Sequence, residues 1–177
     1  MENPRTQTKV AMNYGAYFGL SASIIYLIFY FTGAEPDSKM PQYLGYLLQI
    51  IFIAMGIVSY RDNELQGSIT YGNSLKTGVL ISLFGGIITG AFTVLFFTVI
   101  APDMAQKIMD MTQEKMLEEG MSEEIVSSSL SYMQKFMSPI WLFIFSLISA
   151  IFMGFLFSLL ISVFTKKDKN PFQQTIG

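Results

Sequence analysis

The segment 139-PIWLFIFSLISAIFMGFLFSLLISVF-164 decides the fold class, because it contains no charged residue over a length that can cross a membrane. At a rise of roughly 1.5 Å per residue, about 20 apolar residues span the hydrocarbon core of a bilayer as a helix. Pro139 suits the first turn of such a helix, and Lys166 and Lys167 follow its end. The segment therefore predicts a transmembrane helix.

Three further segments have the same character, since each is free of charge over a length that spans a bilayer. They predict transmembrane helices at about residues 10–31, 43–60 and 77–100. Together with 139–164 they predict an all-α membrane protein, a single domain over residues 1–177 with four transmembrane helices. The polar segment 101–138 is expected to form an extramembrane helical hairpin that turns at Gly120.

The composition agrees with a membrane protein and limits the chemistry that the side chains can carry out. Hydrophobic residues make up 51% of the chain and charged residues only 14%. Cysteine and histidine are both absent, so the usual zinc and haem ligands and the commonest general base are missing. A net charge of -2 offers no basic surface for nucleic acid. We therefore expect no enzyme activity, no catalytic residue, no metal or cofactor and no nucleic-acid partner.

Small residues recur at every fourth position on the first, third and fourth membrane helices. Such rows allow two helix backbones to approach closely, so they predict helix packing. The predicted packing residues are Gly15, Gly19, Ser82, Gly86, Gly90, Ala150, Gly154 and Ser158. Spacing alone leaves open whether a row faces the same chain or another protein, and contact within the chain is preferred for at least two of the three rows.

The predicted membrane segments contain no Asp, Glu, Lys or Arg. Proton relays and many ion pathways need ionisable groups at this depth, so a coupled transporter or a charge-selective channel is disfavoured. The most polar candidates are Gln49, Thr89 and Thr93. We expect Gln49 to form a hydrogen bond with a neighbouring helix.

The hairpin is expected to pack on itself through apolar residues at helical spacing. On its second helix these residues are Val126, Leu130, Met133 and Met137. Their expected cover on its first helix is Met104, Ile108 and Met111. Met109 and Met116 project elsewhere and are candidate partner contacts, because methionine surfaces adapt to varied apolar partners. The alternative is a hairpin that rests on the membrane surface.

Orientation follows from the distribution of the 11 Lys and Arg residues, which are retained on the cytoplasmic side. The larger group flanks the termini and the second loop: Arg5, Lys9, Arg61, Lys76, Lys166, Lys167 and Lys169. The smaller group lies on the other side: Lys39, Lys107, Lys115 and Lys135. We therefore expect both termini inside and residues 101–138 outside.

The loop between the second and third helices carries four candidate partner or ligand contacts, Arg61, Asp62, Tyr71 and Lys76. Its charged residues could receive a phosphate or an acidic group of a partner, and a solvated position beside the helix ends is the alternative. The alternation of Ile69 and Tyr71 predicts a short segment that folds against the membrane interface.

This loop also carries a family resemblance. Arg61-Asp62, the stretch from Gly67 to Gly72 and Lys76-Thr77-Gly78 resemble the signature of the bacterial membrane proteins catalogued as domain of unknown function 4199 (DUF4199). The four-helix layout, Tyr14-Gly15 and the acidic, Met-rich segment before the last helix extend the resemblance over nearly the whole chain. It implies a bacterial cytoplasmic (inner) membrane protein of the Bacteroidota type without an established activity. It also suggests gene neighbourhoods with membrane glycosyltransferases.

The sequence therefore leaves two candidate functions. The first is a non-enzymatic accessory subunit of a cytoplasmic-membrane complex, surrounded by membrane lipids and bound to a membrane protein such as a glycosyltransferase or to a second copy of itself. The second is a component of a lipid-linked or small-molecule transporter. A polar cavity lined by Gln49, Thr89 or Thr93 favours transport. A solidly packed bundle with an exposed small-residue or Met-rich face favours the accessory role.

Overall fold

A computed structural model describes residues 4–35 and 38–167, and within these ranges the regular secondary structure is all helical, without a strand. Two π-helical turns, Tyr60–Glu64 and Phe96–Ile100, prolong the second and third helices. The α-helices are α1 (Pro4–Phe31), α2 (Met40–Ser59), α3 (Tyr71–Leu95), α4 (Met104–Glu118), α5 (Glu123–Phe136) and α6 (Pro139–Thr165).

Four of these helices are long and apolar enough to cross a membrane, which confirms the predicted all-α, four-span class. The spans are α1, α2 and α3 with their π-helical turns, and α6. The side chain of Arg5 and the whole of Lys169, which entered the orientation count, lie outside the described residues.

Helix α3 lies at the centre of the bundle. It packs along α1 on one side and along α6 on the other, while α2 contacts all three. Helices α4 and α5 pack on each other and make few contacts with the membrane helices. We call the end of the bundle that carries α4 and α5 the hairpin end, and the end with the loop 65–70 the loop end.

The best-packed part of the bundle lies in the half nearer the loop end. Its buried apolar residues come from α1, α2, the turn after α2, the loop and α3: Ala11, Ile53, Ile57, Tyr60, Ile69 and Ile81. On the outside of the bundle large apolar side chains such as Ile148, Phe152 and Leu160 are exposed. That arrangement suits a protein whose surroundings are lipid tails rather than water.

The membrane helices are longer than their apolar segments. Helix α1 begins at Pro4 rather than near residue 10, because the buried amide of Gln7 still donates to Thr77 Oγ1 (2.9 Å) and to the carbonyl oxygen of Asn73 (3.3 Å). Helix α3 begins at Tyr71 rather than near residue 77, with Thr70 Oγ1 accepting from the Asn73 amide (3.3 Å). Polar residues thus extend both helices beyond the lengths predicted from charge-free segments.

Helices α4 and α5 have 15 and 14 residues, which is shorter than a typical span. They meet at Gly120, whose φ of +79° is one that glycine adopts without strain. Val126 is buried between them, and Gln113 and Leu117 line a groove beside it. Of the predicted cover, Met104 and Ile108 instead line a cavity of the bundle. The position of the hairpin outside the membrane stays a prediction.

Candidate functional site

The first small-residue row forms the crossing of α1 and α3. A Cβ placed on Gly15 would lie 2.7 Å from the Ile81 carbonyl oxygen, and one on Gly19 would lie 2.7 Å from Ile88 Cβ. The surface opposite is provided by Gly85, which packs against Phe18. Gly85 lies next to the predicted row on α3 rather than in it, so the four-residue spacing missed it.

The other two rows face each other where α3 crosses α6. A Cβ on Gly86 would lie 2.9 Å from Ala150 Cβ, and Gly78 packs against Ser158. Gly154 packs against Ser82 in the same way, and Gly90 lies against the ring of Phe143. The predicted packing residues therefore lie at contacts within this chain, and the rows do not form an open surface.

Gln49 joins three helices at this crossing. Its side-chain nitrogen Nε2 donates to Ser82 Oγ on α3 (3.2 Å) and to the Ala150 carbonyl oxygen on α6 (2.8 Å). Burial of Gln49 is nearly complete. This confirms the predicted hydrogen bond to a neighbouring helix and excludes Gln49 from any open cavity. Further along α6, the hydroxyl groups of Ser158 and Ser162 are buried without a hydrogen-bond partner.

At the loop end, Arg61 and Asp62 form an ion pair with Nε to Oδ1 at 2.7 Å. They lie in the π-helical turn that continues α2, not in the loop as predicted, because the Leu65 amide bonds back to the Tyr60 carbonyl oxygen (3.2 Å). Arg61 Nη1 also donates to the carbonyl oxygen of Thr165 (3.3 Å). Arg61 thus satisfies a carbonyl group at the end of α6, a structural role.

The remaining polar candidates lie apart from this pair. The Tyr71 hydroxyl donates to the Leu159 carbonyl oxygen of α6 (3.4 Å), and Lys76 is exposed on α3. Ile69 pairs with Lys167 through two backbone hydrogen bonds of 2.9 and 3.0 Å, so the loop is fixed to the end of α6. Of the four candidates, the described residues bring together Arg61 and Asp62 only.

Met109 and Met116 are half-buried, and their role as partner contacts stays a prediction. The most exposed large apolar side chains of the hairpin lie on α5. We call Ile125, Tyr132 and Phe136 the hairpin stripe, since their spacing places them on one face of the helix. Phe136 also contacts the rings of Trp141 (5.8 Å between centroids) and Phe145 (5.7 Å) on α6.

A cavity of about 300 Å³ opens at the hairpin end between α1, α2 and α3, with α4 beside it. Aromatic rings form most of its body: Tyr26, Phe29, Tyr30, Phe92, Phe96 and Phe97. Glu35, Ser38 and Gln42 lie at its rim, because Glu35 and Ser38 belong to the connection between α1 and α2 and Gln42 to the first turn of α2. Thr89 and Thr93, which the sequence singled out, both line this cavity, whereas its other lining residues carried no sequence signal for it.

The floor of the cavity is closed. Ser23 and Thr89 are its deepest polar residues, and their hydroxyl groups donate to the carbonyl oxygens of Gly19 (2.8 Å) and Gly86 (3.2 Å). One helical turn below, Gly19 and Gly85 bring α1 and α3 into close contact. This close contact of α1 and α3 blocks a straight path from the cavity through the bundle.

No group of three or more His, Cys, Asp or Glu side chains that could hold a metal ion occurs in the part of the chain that the structure describes. Four apolar spans, in-chain glycine crossings and a pocket at one end together define a small four-helix integral membrane protein. The chain belongs to the family described as Protein of unknown function (DUF4199), which matches residues 13–167. This confirms the resemblance seen in the sequence. No curated protein and no solved structure matches the chain.

Proposed function

We propose that this protein is a non-enzymatic accessory subunit that binds another integral membrane protein through the hairpin stripe. The observation that carries the proposal is the exposure of that stripe: Tyr132 is 63% exposed and Ile125 53%. Exposed aromatic and apolar residues at helical spacing are typical of a face that a partner covers. Since the small-residue rows are occupied within the chain, the hairpin stripe is the better candidate for a partner contact.

The position of the hairpin supports this role. Because α4 and α5 have few contacts with the membrane helices, a partner can approach α5 without disturbing the bundle. Phe136 links the stripe to Trp141, and tryptophan is frequent at membrane–water interfaces. The stripe would then meet a partner that is itself held in the membrane. A membrane glycosyltransferase is the partner class that the family resemblance suggests.

The proposed location is the bacterial cytoplasmic membrane, with the termini inside and residues 101–138 outside. The excess of Lys and Arg at the loop end supports this orientation, and it includes Lys9, Arg61, Lys76, Lys166 and Lys167. On this arrangement the hairpin stripe and the cavity rim both face the outside of the cell, whereas the Arg61–Asp62 ion pair faces the cytoplasm.

The test is a pair of substitutions in the stripe, Ile125→Ser with Tyr132→Ser, in protein purified from its native membrane in mild detergent. We expect a specifically co-purifying membrane protein, identified by mass spectrometry, to be lost. The melting temperature of the isolated chain should stay unchanged, because both side chains are exposed. Met121→Ser is the matched control, since Met121 is an exposed apolar residue of the same hairpin outside the stripe.

Retention of every co-purifying protein by the double variant would contradict the proposal. If the stripe lies on lipid instead, the double variant should only increase hydrogen exchange in α5, without a change in co-purification. The comparison with Met121→Ser separates the loss of a specific contact from a general change in hairpin polarity.

A second candidate function, a component of a lipid-linked or small-molecule transporter, is favoured by one observation. The cavity includes Thr89 and Thr93, which the sequence singled out for such a role. Its closed floor means that passage through the bundle would require α1 and α3 to separate at Gly19 and Gly85. The structure therefore favours binding in the cavity over passage through it.

A further inference from the structure

We propose that the cavity at the hairpin end is a binding site for one hydrocarbon chain of an amphiphile with an ammonium head group. The chain would lie among the aromatic rings, and the head group would lie at the rim beside Glu35. This inference goes beyond partner binding and does not depend on it, because the cavity and the hairpin stripe are made of different residues.

The size and walls of the cavity select a hydrocarbon chain. A volume of about 300 Å³ lies at the lower end of the range of roughly 300–1,000 Å³ for ligand pockets, so the cavity suits one chain better than a whole two-chain lipid. Tyr26 and Tyr30 pack edge-to-face on Phe96, with ring centroids 4.9 and 5.1 Å apart. These mutual contacts fix the wall before any ligand enters.

Gly45 borders open space in the cavity. A Cβ on this half-buried residue of α2 would meet no atom within 4 Å, and Gly45 lines the cavity. At the helix crossings the opposite holds, since a Cβ on Gly15 or Gly86 would meet a neighbour within 3.0 Å. Glycine at position 45 therefore keeps the cavity open and does not allow a helix crossing.

The charge at the rim selects the head group. Glu35 is the one charged residue among the described residues that line the cavity. The nearest basic candidate on α4, Lys107, forms an ion pair with Asp103 (2.6 Å), which raises the pKa of Lys107 and lowers the pKa of Asp103. Lys39 is exposed and does not line the cavity. An ammonium group at the rim meets a carboxylate and the tyrosine rings, whereas an anionic group is repelled.

The polar groups at the floor of the cavity determine which end of the ligand enters first. The hydroxyl groups of Ser23, Thr89 and Thr93 donate to carbonyl oxygens of their own helices, so the deep end has no free donor for a polar head. The head group therefore stays at the rim and the chain enters first. Two sources share this chemistry: an aminophospholipid of the bilayer that inserts one of its chains, and a free alkylamine.

The experiment uses the absence of cysteine from the natural chain. The variant Gly45→Cys places a single thiol in the cavity, and Gly72→Cys places one at the loop end, where a Cβ on Gly72 also meets no atom within 4 Å. The rate of modification by a small neutral thiol reagent is measured with and without dodecylammonium or dodecanoate. We expect dodecylammonium to slow the reaction at position 45 by about tenfold, without effect at position 72.

A second variant tests the role of the carboxylate. In the Gly45→Cys background, Glu35→Gln should remove most of the protection by dodecylammonium while leaving the melting temperature unchanged, because Glu35 is exposed. Equal protection by dodecanoate, absence of protection, or protection that survives Glu35→Gln would overturn the proposal. Native mass spectrometry of the unaltered chain with the two amphiphiles provides the same comparison without a cysteine, and stronger retention of dodecylammonium is expected.

The two sources are separated by the lipid around the protein. The rate of modification at position 45 is compared in nanodiscs of phosphatidylethanolamine and of phosphatidylglycerol, both without added amine. A slower rate in phosphatidylethanolamine identifies the membrane lipid as the ligand. Protection that requires added dodecylammonium in both nanodiscs identifies a free amine. Each result supports the amine-binding cavity, and slower modification in phosphatidylglycerol than in phosphatidylethanolamine contradicts it.

Discussion

At the scale of single residues, the bundle depends on positions where a side chain is absent. Gly154 on α6 packs against Ser82, and a Cβ at this position would also lie 2.9 Å from Gln49 Nε2. In a lipid surrounding, helices associate through close packing and hydrogen bonds, since no hydrophobic force drives one apolar helix onto another. Gly154 therefore contributes to both interactions: it permits close packing of α6 on α3, and it leaves room for the Gln49 amide to form its hydrogen bonds.

The corresponding prediction is that Gly154→Leu lowers the free energy of unfolding in detergent by about 1–3 kcal/mol, the usual cost of overpacking. The measurement is a denaturation curve in mixed micelles. Gly72→Leu is the matched control, because a Cβ on Gly72 meets no atom within 4 Å, and its effect should stay within about 0.5 kcal/mol. Equal losses in the two variants would show that Gly154 is not a packing residue.

At the scale of elements, the loop end is held by polar contacts between segments distant in sequence. The loop residue Ile69 donates its amide to the Lys167 carbonyl oxygen and accepts from the Lys167 amide. The π-helical turn brings Arg61 to the carbonyl group of Thr165. The end of α6 is thus fixed both to the π-helical turn after α2 and to the loop.

We predict that Ile69→Pro loosens this end, because proline has no amide hydrogen to donate. The other hydrogen bond, from the Lys167 amide to the carbonyl oxygen at position 69, then opens more often, because the bond that supports it is worth roughly 1 kcal/mol. Hydrogen exchange of the Lys167 amide should become about fivefold faster. The control Ile69→Val keeps the amide and most of the buried side chain, and exchange should stay unchanged. Slow exchange at Lys167 in the proline variant would show that the pairing with Ile69 does not hold this segment.

At the scale of the whole molecule, the two ends of the bundle differ in chemistry. The loop end carries basic residues and a well-packed core, and the hairpin end carries the cavity and the exposed stripe. The proposed orientation places the binding surfaces outside the cell. A transporter differs from a binding protein in one respect that can be measured, because its cavity is exposed to each side of the membrane in turn.

Single cysteines in this cysteine-free chain test both the orientation of the protein in the membrane and the access to its cavity from each side. In intact cells, a membrane-impermeant thiol reagent should label Ser127→Cys on α5 and Gly45→Cys in the cavity, but not Gly72→Cys at the loop end. In inside-out vesicles only Gly72→Cys should react. Labelling of Gly45→Cys from both sides would favour the transporter, and the reverse pattern for Ser127 and Gly72 would overturn the orientation.

Much of the candidate surface could not be predicted from the sequence. Gly85, Phe18 and Gln7 take part in the α1–α3 contact without belonging to a regular row. Met109 and Met116 fit a free face by spacing, yet both are half-buried. Spacing reports which residues share one side of a helix, but it carries no information about which neighbouring helix covers that side.

The sequence by itself determined the class of protein, the four spans and the residues able to form close helix contacts, because charge-free length and small-residue spacing are properties of each helix alone. Only the tertiary structure decided that the rows meet within the chain and that Gln49 is sealed between three helices. The cavity, bounded by Gly45, Glu35 and aromatic rings from distant segments, also arises only there. A cavity is the space left between helices, and its position depends on how all of them pack at once.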